Sequence, residues 1–286
     1  MPAARARRGP RWGTMGAVPE KALTYGEYLK VPELLELQKV LSSPAHHDEP
    51  LFIIIHQVYE LWFKLILHEV DSAAAHLRAD RVPEATRLLR RVVEIQRLLV
   101  SQVRILETMR PQDFLGFRYH LSPASGFQSV QFRELEFALG LKDKDVHERL
   151  SSTPAEADRL RARLAAPSLG DVFDELLVRR GFPQDPAPQS APGGRAQPEE
   201  WRLAALVRVY EDDAYADLLA LAEVLVEIDE CLVLWRAHHV QMVERMIGSK
   251  RGTGGSEGVA YLQSTLPKRA FPDLWRVRTR IGQEPA

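Results

Sequence analysis

Between Ala214 and Ile247 a histidine sits where heptad spacing calls for a core side chain. Leu218, Leu225, Leu232, His239 and Met246 recur every seven residues, and Leu221, Ile228, Trp235 and Met242 fill the complementary stripe. A helix with such a seam packs along its length against other helices. A second long segment, DEPLFIIIHQVYELWFKLILHEVDSAAAHLRAD from Asp48 to Asp80, carries apolar residues on more than one face: Leu51, Ile54, Ile55, Val58, Leu61, Trp62 and Leu65. That breadth predicts a helix buried inside a bundle. Asp48 is its expected N-cap, and Pro50 falls in the first turn, where a missing N–H costs little.

The rest of the chain keeps the same period. Pro83 to Arg110 reads as a helix with one wet face, opened by Pro83 and closed by Pro111. Ser122-Pro123-Ala124-Ser125-Gly126 is a turn signal, and Phe127 to Leu139 is helical in pattern. Residues 141–181 give short helical pieces, and FPQDPAPQSAPGGRAQP at 182–198 predicts a proline-rich loop. Apolar/polar alternation is never sustained, so no strand is expected. The expected fold class is all-α, a helical bundle with long core helices.

Residues 1–20 are arginine-rich and hold no acid before Glu20. No apolar stretch follows that would make them a secretory signal, so a disordered arm is expected there. Residues 21–286 then form a single helical domain, with 182–198 as a loop of it. No run of about 18 uncharged apolar residues marks a transmembrane helix. The balance of 38 basic and 39 acidic side chains, a formal net charge of −1, argues against a generic nucleic-acid or anionic-membrane binder. One cysteine, Cys231, excludes an intrachain disulfide framework and any cysteine-rich zinc or iron–sulfur site. A reducing cytoplasm is the expected compartment.

Two of the nine histidines stand out by phase. His239 lies in the seam with Trp235 and Val243 four residues to either side, whereas His238 is rotated out of it by about 100°. His56 follows Phe52 by four residues and precedes Phe63 by seven, so it shares their face. Spacing alone favours a core histidine bonded to a carbonyl for either one. Two of them on separate long helices make a shared site more plausible. No histidine has a glutamate three residues before it, which removes the di-iron carboxylate pattern, and His-Glu-x-x-His is absent. One axial histidine in apolar surroundings is all that a histidine-ligated haem asks of a protein, so the periodicity permits haem without requiring it. Arg118, beside Phe114 and Phe117, could grip a carboxylate or simply serve in a structural ion pair. GSKRGTGGSEG at 248–258 holds five glycines and suits either a lid or a helix-ending surface loop, with Gly248 as the stop. It does not match a phosphate-binding P-loop.

Five segments, in order, resemble the tryptophan 2,3-dioxygenase family: LTYGEYL at 23–29, HDEPLFIIIHQVYELWFK at 47–64, FRYHLSPASGFQSVQFR at 117–133, LWRAHHVQMVERMIG at 234–248 and KRGTGGSEGVAYL at 250–262. The resemblance implies a cytoplasmic homotetrameric enzyme of tryptophan catabolism and the kynurenine pathway. It implies one haem b per subunit, O2 as co-substrate, and conversion of L-tryptophan to N-formylkynurenine by insertion across the indole C2–C3 bond. His239 matches the axial ligand of the haem iron, expected to bind through Nε2 with Nδ1 held by an acceptor. His56 matches the distal histidine that hydrogen-bonds the indole N–H. Arg118 matches the arginine that pairs with the substrate carboxylate, and Thr253 the lid residue at the amino-acid group. Phe52, Phe114 and Phe117 match the walls around the indole; Phe114 stands where some members carry tyrosine, which removes a hydroxyl near the carboxylate. Tyr25 and Tyr28 match residues that reach a neighbouring subunit's site, and Ser125 matches a serine at the haem edge.

Three further readings stand beside this one. The same scaffold could oxidise a substituted tryptophan such as β-methyltryptophan in secondary metabolism, inserting either one or two oxygen atoms. A non-enzymatic haem-binding protein or a plain helical interaction module would need neither Arg118 nor the glycine lid.

Overall fold

The computed structural model describes residues 22–143, 153–182, 200–253 and 258–283. The chain divides into two compact units, Met1–Lys39 and Val40–Ala286. The arm expected at 1–20 lies outside the described residues, as does most of the loop expected at 182–198.

The first unit contributes two one-turn helices, α1 (Tyr25–Leu29) and α2 (Val31–Leu35). Thr24 and Glu27 form a reciprocal cap on α1: the Glu27 amide donates to the Thr24 hydroxyl, and the Glu27 carboxylate accepts from the Thr24 amide. No residue of either helix is buried, and Leu23, Tyr25, Tyr28, Leu35 and Leu37 are exposed.

The second unit is built on three long helices, α3 (Glu49–Arg78), α4 (Val82–Leu106) and α10 (Ala216–Ile247). Shorter helices complete it: α5 (Pro111–Arg118), α6 (Val130–Leu139), α7 (Pro154–Ala165), α8 (Leu169–Arg179), α9 (Glu200–Glu211), α11 (Val259–Ser264) and α12 (Pro272–Arg276). No strand occurs among the described residues, so the all-α expectation holds.

α4 packs against both α3 and α10. The α3–α4 pair is an antiparallel hairpin. Tyr59 Oη donates to Leu99 O at 2.7 Å near one end, and Arg91 meets Glu69 at 2.5 Å near the other. α10 runs alongside α4, with Arg97–Glu227 at 2.8 Å and Arg245–Glu107 at 3.2 Å. α6 and α8 lie against α3. α3 is long and apolar enough to cross a membrane by length and composition alone. Here Ile66, Val70, Ala73 and Leu77 of that helix are buried in the core of this unit.

Local chemistry sets the boundaries. Asp48 takes the N-cap position of α3 without a side-chain capping bond, and Pro50 sits in the first turn. Glu49, fully buried, instead turns its carboxylate to the preceding segment, accepting from the amides of Leu41 and Ser42 at 2.6 and 3.0 Å and from the Ser42 hydroxyl. Burial alone would raise its pKa; the hydrogen bonds outweigh burial and hold the carboxylate below its ordinary range. α4 stops at Leu106 rather than Arg110, because Pro111 forces Arg110 into extended backbone (ψ 148°) and Glu107–Met109 turn to meet it. The segment 127–139 breaks at Ser129, whose hydroxyl accepts from Phe132 N at 3.2 Å to start α6. α10 begins at Ala216, after a turn of 3₁₀ helix capped by Asp212, and ends at Gly248 in a positive-φ conformation. Phe182, expected at the edge of the proline-rich loop, belongs to the core.

Asp229 shows how the last third of the chain is fastened. Its fully buried carboxylate accepts from Ala270 N at 2.9 Å, Phe271 N at 3.2 Å and Trp275 Nε1 at 3.0 Å, tying α10 to α12. Asp229→Ala strands three donors, each worth about 1–3 kcal/mol when left unpaired. A loss of about 3 kcal/mol or more in urea unfolding is expected, and a midpoint within error of the parent would contradict this account.

Candidate active site

The seam of α10 is closed at Leu218, Leu225 and Leu232 and opens at Trp235, His239 and Met242, where side chains become only half-buried. Beside that opening lies a cavity of about 270 Å³. α3 lines it with Phe52, His56, Tyr59, Glu60 and Phe63, a single helical stripe; α5 adds Phe114 and Arg118; α6 adds Phe132, Arg133 and Glu136. α4 adds Val103 and Leu106, and Ser125, Gly252, Thr253 and Tyr261 also line it.

His239 projects into this cavity with its imidazole stacked on Trp235, the ring centroids 5.1 Å apart and the planes 5° from parallel. Neither ring nitrogen makes a hydrogen bond among the described residues, so the acceptor expected for Nδ1 is not found there. Removal from water, reinforced by His56, pushes its pKa down to about 4. The ring is therefore neutral at physiological pH, with a nitrogen lone pair available.

His56 differs in one respect. Its Nδ1 lies 2.7 Å from Phe52 O. A carbonyl can only accept, so Nδ1 carries the proton and Nε2 is left as an acceptor. Burial lowers its pKa below the ordinary imidazole value, against opposing contributions from the Phe52 carbonyl and the nearby Glu60 carboxylate. Phe52 packs on the His56 ring at 4.1 Å and on Phe114 at 5.7 Å. Phe117 is fully buried behind this wall, 5.7 Å from Phe52 and 5.5 Å from Phe114, and backs the cavity without lining it.

Arg118 has no carboxylate partner among the described residues. Its Nη2 donates to Arg251 O. Thr253 Oγ1 donates to Ala124 O at 2.7 Å, so two bonds hold residues 251–253 to the chain around α5. Gly258 closes the same loop: at φ +65°, a Cβ there would lie 2.8 Å from Lys250 O. Ser125 lines the cavity, its hydroxyl accepting from Phe127 N at 3.4 Å. Tyr25 and Tyr28 lie on α1 in the other unit, both exposed.

The sequence reading missed the charged part of the wall. Glu136 bridges Arg133 at 2.5 Å and Arg236 at 2.6 Å, and Arg236 also donates to Thr265 O at 3.4 Å and Lys268 O at 3.3 Å. In the sequence Arg133 and Glu136 look like surface charges of an amphipathic helix; only the crossing of α6 with α10 makes them a buried triad. Two cations against one anion leave that wall positive. Among the described residues Arg133 Nε and Trp235 Nε1 are buried donors with no well-formed hydrogen bond, the Tyr59 hydroxyl lying near the latter.

These features fit a haem. No group of three or more His, Cys, Asp or Glu side chains converges among the described residues, so a bare metal ion finds no ligand set there, whereas a single imidazole suits a cofactor that brings its own metal donors. His239 is the residue that would hold it, through an imidazole that is neutral and faces the cavity. The two orphaned donors and the positive wall suit a cofactor that carries carboxylates.

The family model for tryptophan 2,3-dioxygenase matches residues 14–165 and 196–281. A tryptophan 2,3-dioxygenase of Nocardioides sp. (strain ATCC BAA-499 / JS614) is 50% identical over 264 residues, covering 91% of this chain and 95% of the relative. Those of Bacillus cereus (strain ZK / E33L) and Xanthomonas campestris pv. campestris (strain B100) are 44% and 43% identical, covering 91% and 92% of this chain and 93% and 89% of the relatives. The chain belongs to the tryptophan 2,3-dioxygenase family.

Proposed function

We propose that this chain is a haem-dependent dioxygenase that inserts O2 across the indole C2–C3 bond of L-tryptophan to give N-formylkynurenine, in tryptophan catabolism by the kynurenine pathway. One observation carries the reading. Among the described residues a single cavity holds a neutral imidazole free of hydrogen bonds, His239, a second imidazole with an acceptor nitrogen, His56, and a guanidinium without a carboxylate partner, Arg118. A ligated cofactor, an indole N–H and an amino-acid carboxylate are what these three groups are equipped to receive.

His239 would hold haem b, one per subunit, with Ser125 at its edge, and the haem supplies the iron at which O2 reacts. The chain's own residues position the substrate. Phe52 and Phe114 present an apolar face to the indole and keep water from it. His56 Nε2 accepts the indole N–H and sets the orientation of the ring. Arg118 exchanges the Arg251 carbonyl for the substrate carboxylate, a bidentate and charge-assisted contact. Thr253 brings a hydroxyl to the amino-acid group. Much of the rate then comes from holding the reactants together in register.

The exposed apolar side chains of the first unit, Tyr25 and Tyr28 foremost, support a homotetramer in which this segment covers a neighbouring active site. The balanced charge and single cysteine suit a cytoplasmic setting.

His239→Ala is expected to abolish the Soret spectrum of histidine-ligated haem in the purified protein; a normal spectrum would refute the axial role. Arg118→Leu removes a charge-assisted contact of about 1.5–3 kcal/mol, so KM for L-tryptophan should rise roughly ten- to a hundredfold. An unchanged KM would contradict the carboxylate assignment. His56 works as an acceptor only when neutral. Since its pKa lies below 6.5, kcat/KM should hold through neutral pH and fall as acid protonates Nε2. His56→Ala should slow turnover modestly and erase that acid limb; complete loss of activity with haem retained would count against an orienting role.

A further inference from the structure

A ligand imidazole turns about a soft torsion, and proteins ordinarily fix it by having its second ring nitrogen donate to a carboxylate or carbonyl. His239 has no such bond among the described residues. Its one ring contact there is the face of Trp235, one helical turn earlier, at 5.1 Å and 5°. Trp235 is itself braced. The Phe132 ring lies 5.0 Å away, and the Tyr59 ring lies 6.3 Å away with its hydroxyl anchored on Leu99 O at 2.7 Å. The braces come from α6 and α3, so the orientation of the stack is set by helix packing and not by the local backbone of α10.

We infer that Trp235 is the positioning residue for His239: its stacked indole face, in place of a hydrogen bond to Nδ1, fixes the plane in which the imidazole meets the cofactor. The inference rests on the reading of His239 as axial ligand. It also gives the fold a reason to keep a large ring at a seam position that Leu221 and Ile228 fill further along the helix. A face acts through its area and flatness; a hydrogen bond would act through the indole N–H. The two can be separated, because phenylalanine keeps a face and lacks the N–H.

The test compares the full-length haem protein with Trp235→Leu and Trp235→Phe. Its readouts are the iron–histidine stretching band of the ferrous form, by resonance Raman, and the rate of haem transfer to excess apomyoglobin. Trp235→Leu should broaden or shift the band and speed haem loss roughly tenfold or more, the scale on which outer partners of a metal-bound histidine act. Trp235→Phe should keep the parent band and stay within roughly threefold of its rate. If the leucine variant does not fold, Trp235→Met, apolar and without a ring face, takes its place with the same expectation. An unchanged band and loss rate without the ring would overturn the inference. So would a phenylalanine variant as impaired as the leucine variant, which would assign the role to the indole N–H. A parent protein with no iron–histidine band would instead overturn the axial reading itself, and this inference with it.

Discussion

A histidine in a heptad seam confronts a helix with a packing problem. Leucine at that position can be closed over completely, but an imidazole has two polar nitrogens that need partners or space. Here α10 leaves space. Its seam is shut at Leu218, Leu225 and Leu232 and opens at Trp235, His239 and Met242, and the cavity stands beside the opening. α4 separates much of α3 from α10, while α6 carries Phe132 to the Trp235 side and closes the cavity. The stripe of α3 that bears Phe52 and His56 faces the same void. The other features of the site, from Phe52 and Phe114 to Gly252 and Thr253, border this gap.

The same arrangement decides the electrical character of the pocket. Both imidazoles are kept neutral by being withdrawn from water, which preserves a lone pair on each. The fixed charges are Arg118 at the α5 side, the Arg133–Glu136–Arg236 triad between α6 and α10, and Glu60 on α3, whose carboxylate accepts from Gln131. A zwitterion with an apolar ring can place its carboxylate on Arg118 and its ring among Phe52, Phe114 and His56, without bringing an uncompensated charge into the apolar part.

Much of this was legible in the sequence because it rests on periodicity. The seam of α10 and the breadth of α3 came from residue spacing, and both helices lie within two residues of their expected limits. Phase alone separated His239 from His238. What escaped detection depends on contacts between distant segments. The triad unites residues about a hundred positions apart, and no local pattern announces it. Nor did α9 stand out beside the proline-rich stretch, although Trp201, Leu203, Ala205, Leu206 and Val209 bury a face of it. Phe117 was expected in the wall and lies behind it, because residues 114 and 118 share the cavity-facing side of α5 while 117 is turned toward the core.

The central claim is that one cavity holds both a haem on His239 and tryptophan on Arg118. The most direct measurement supplies isotopically labelled O2 to the reduced protein with L-tryptophan and reads the product by mass spectrometry. The account predicts tryptophan-dependent O2 uptake and a product that carries both labelled oxygen atoms. A product with a single labelled oxygen, or a haem protein that takes up no O2 when tryptophan is added, would contradict it.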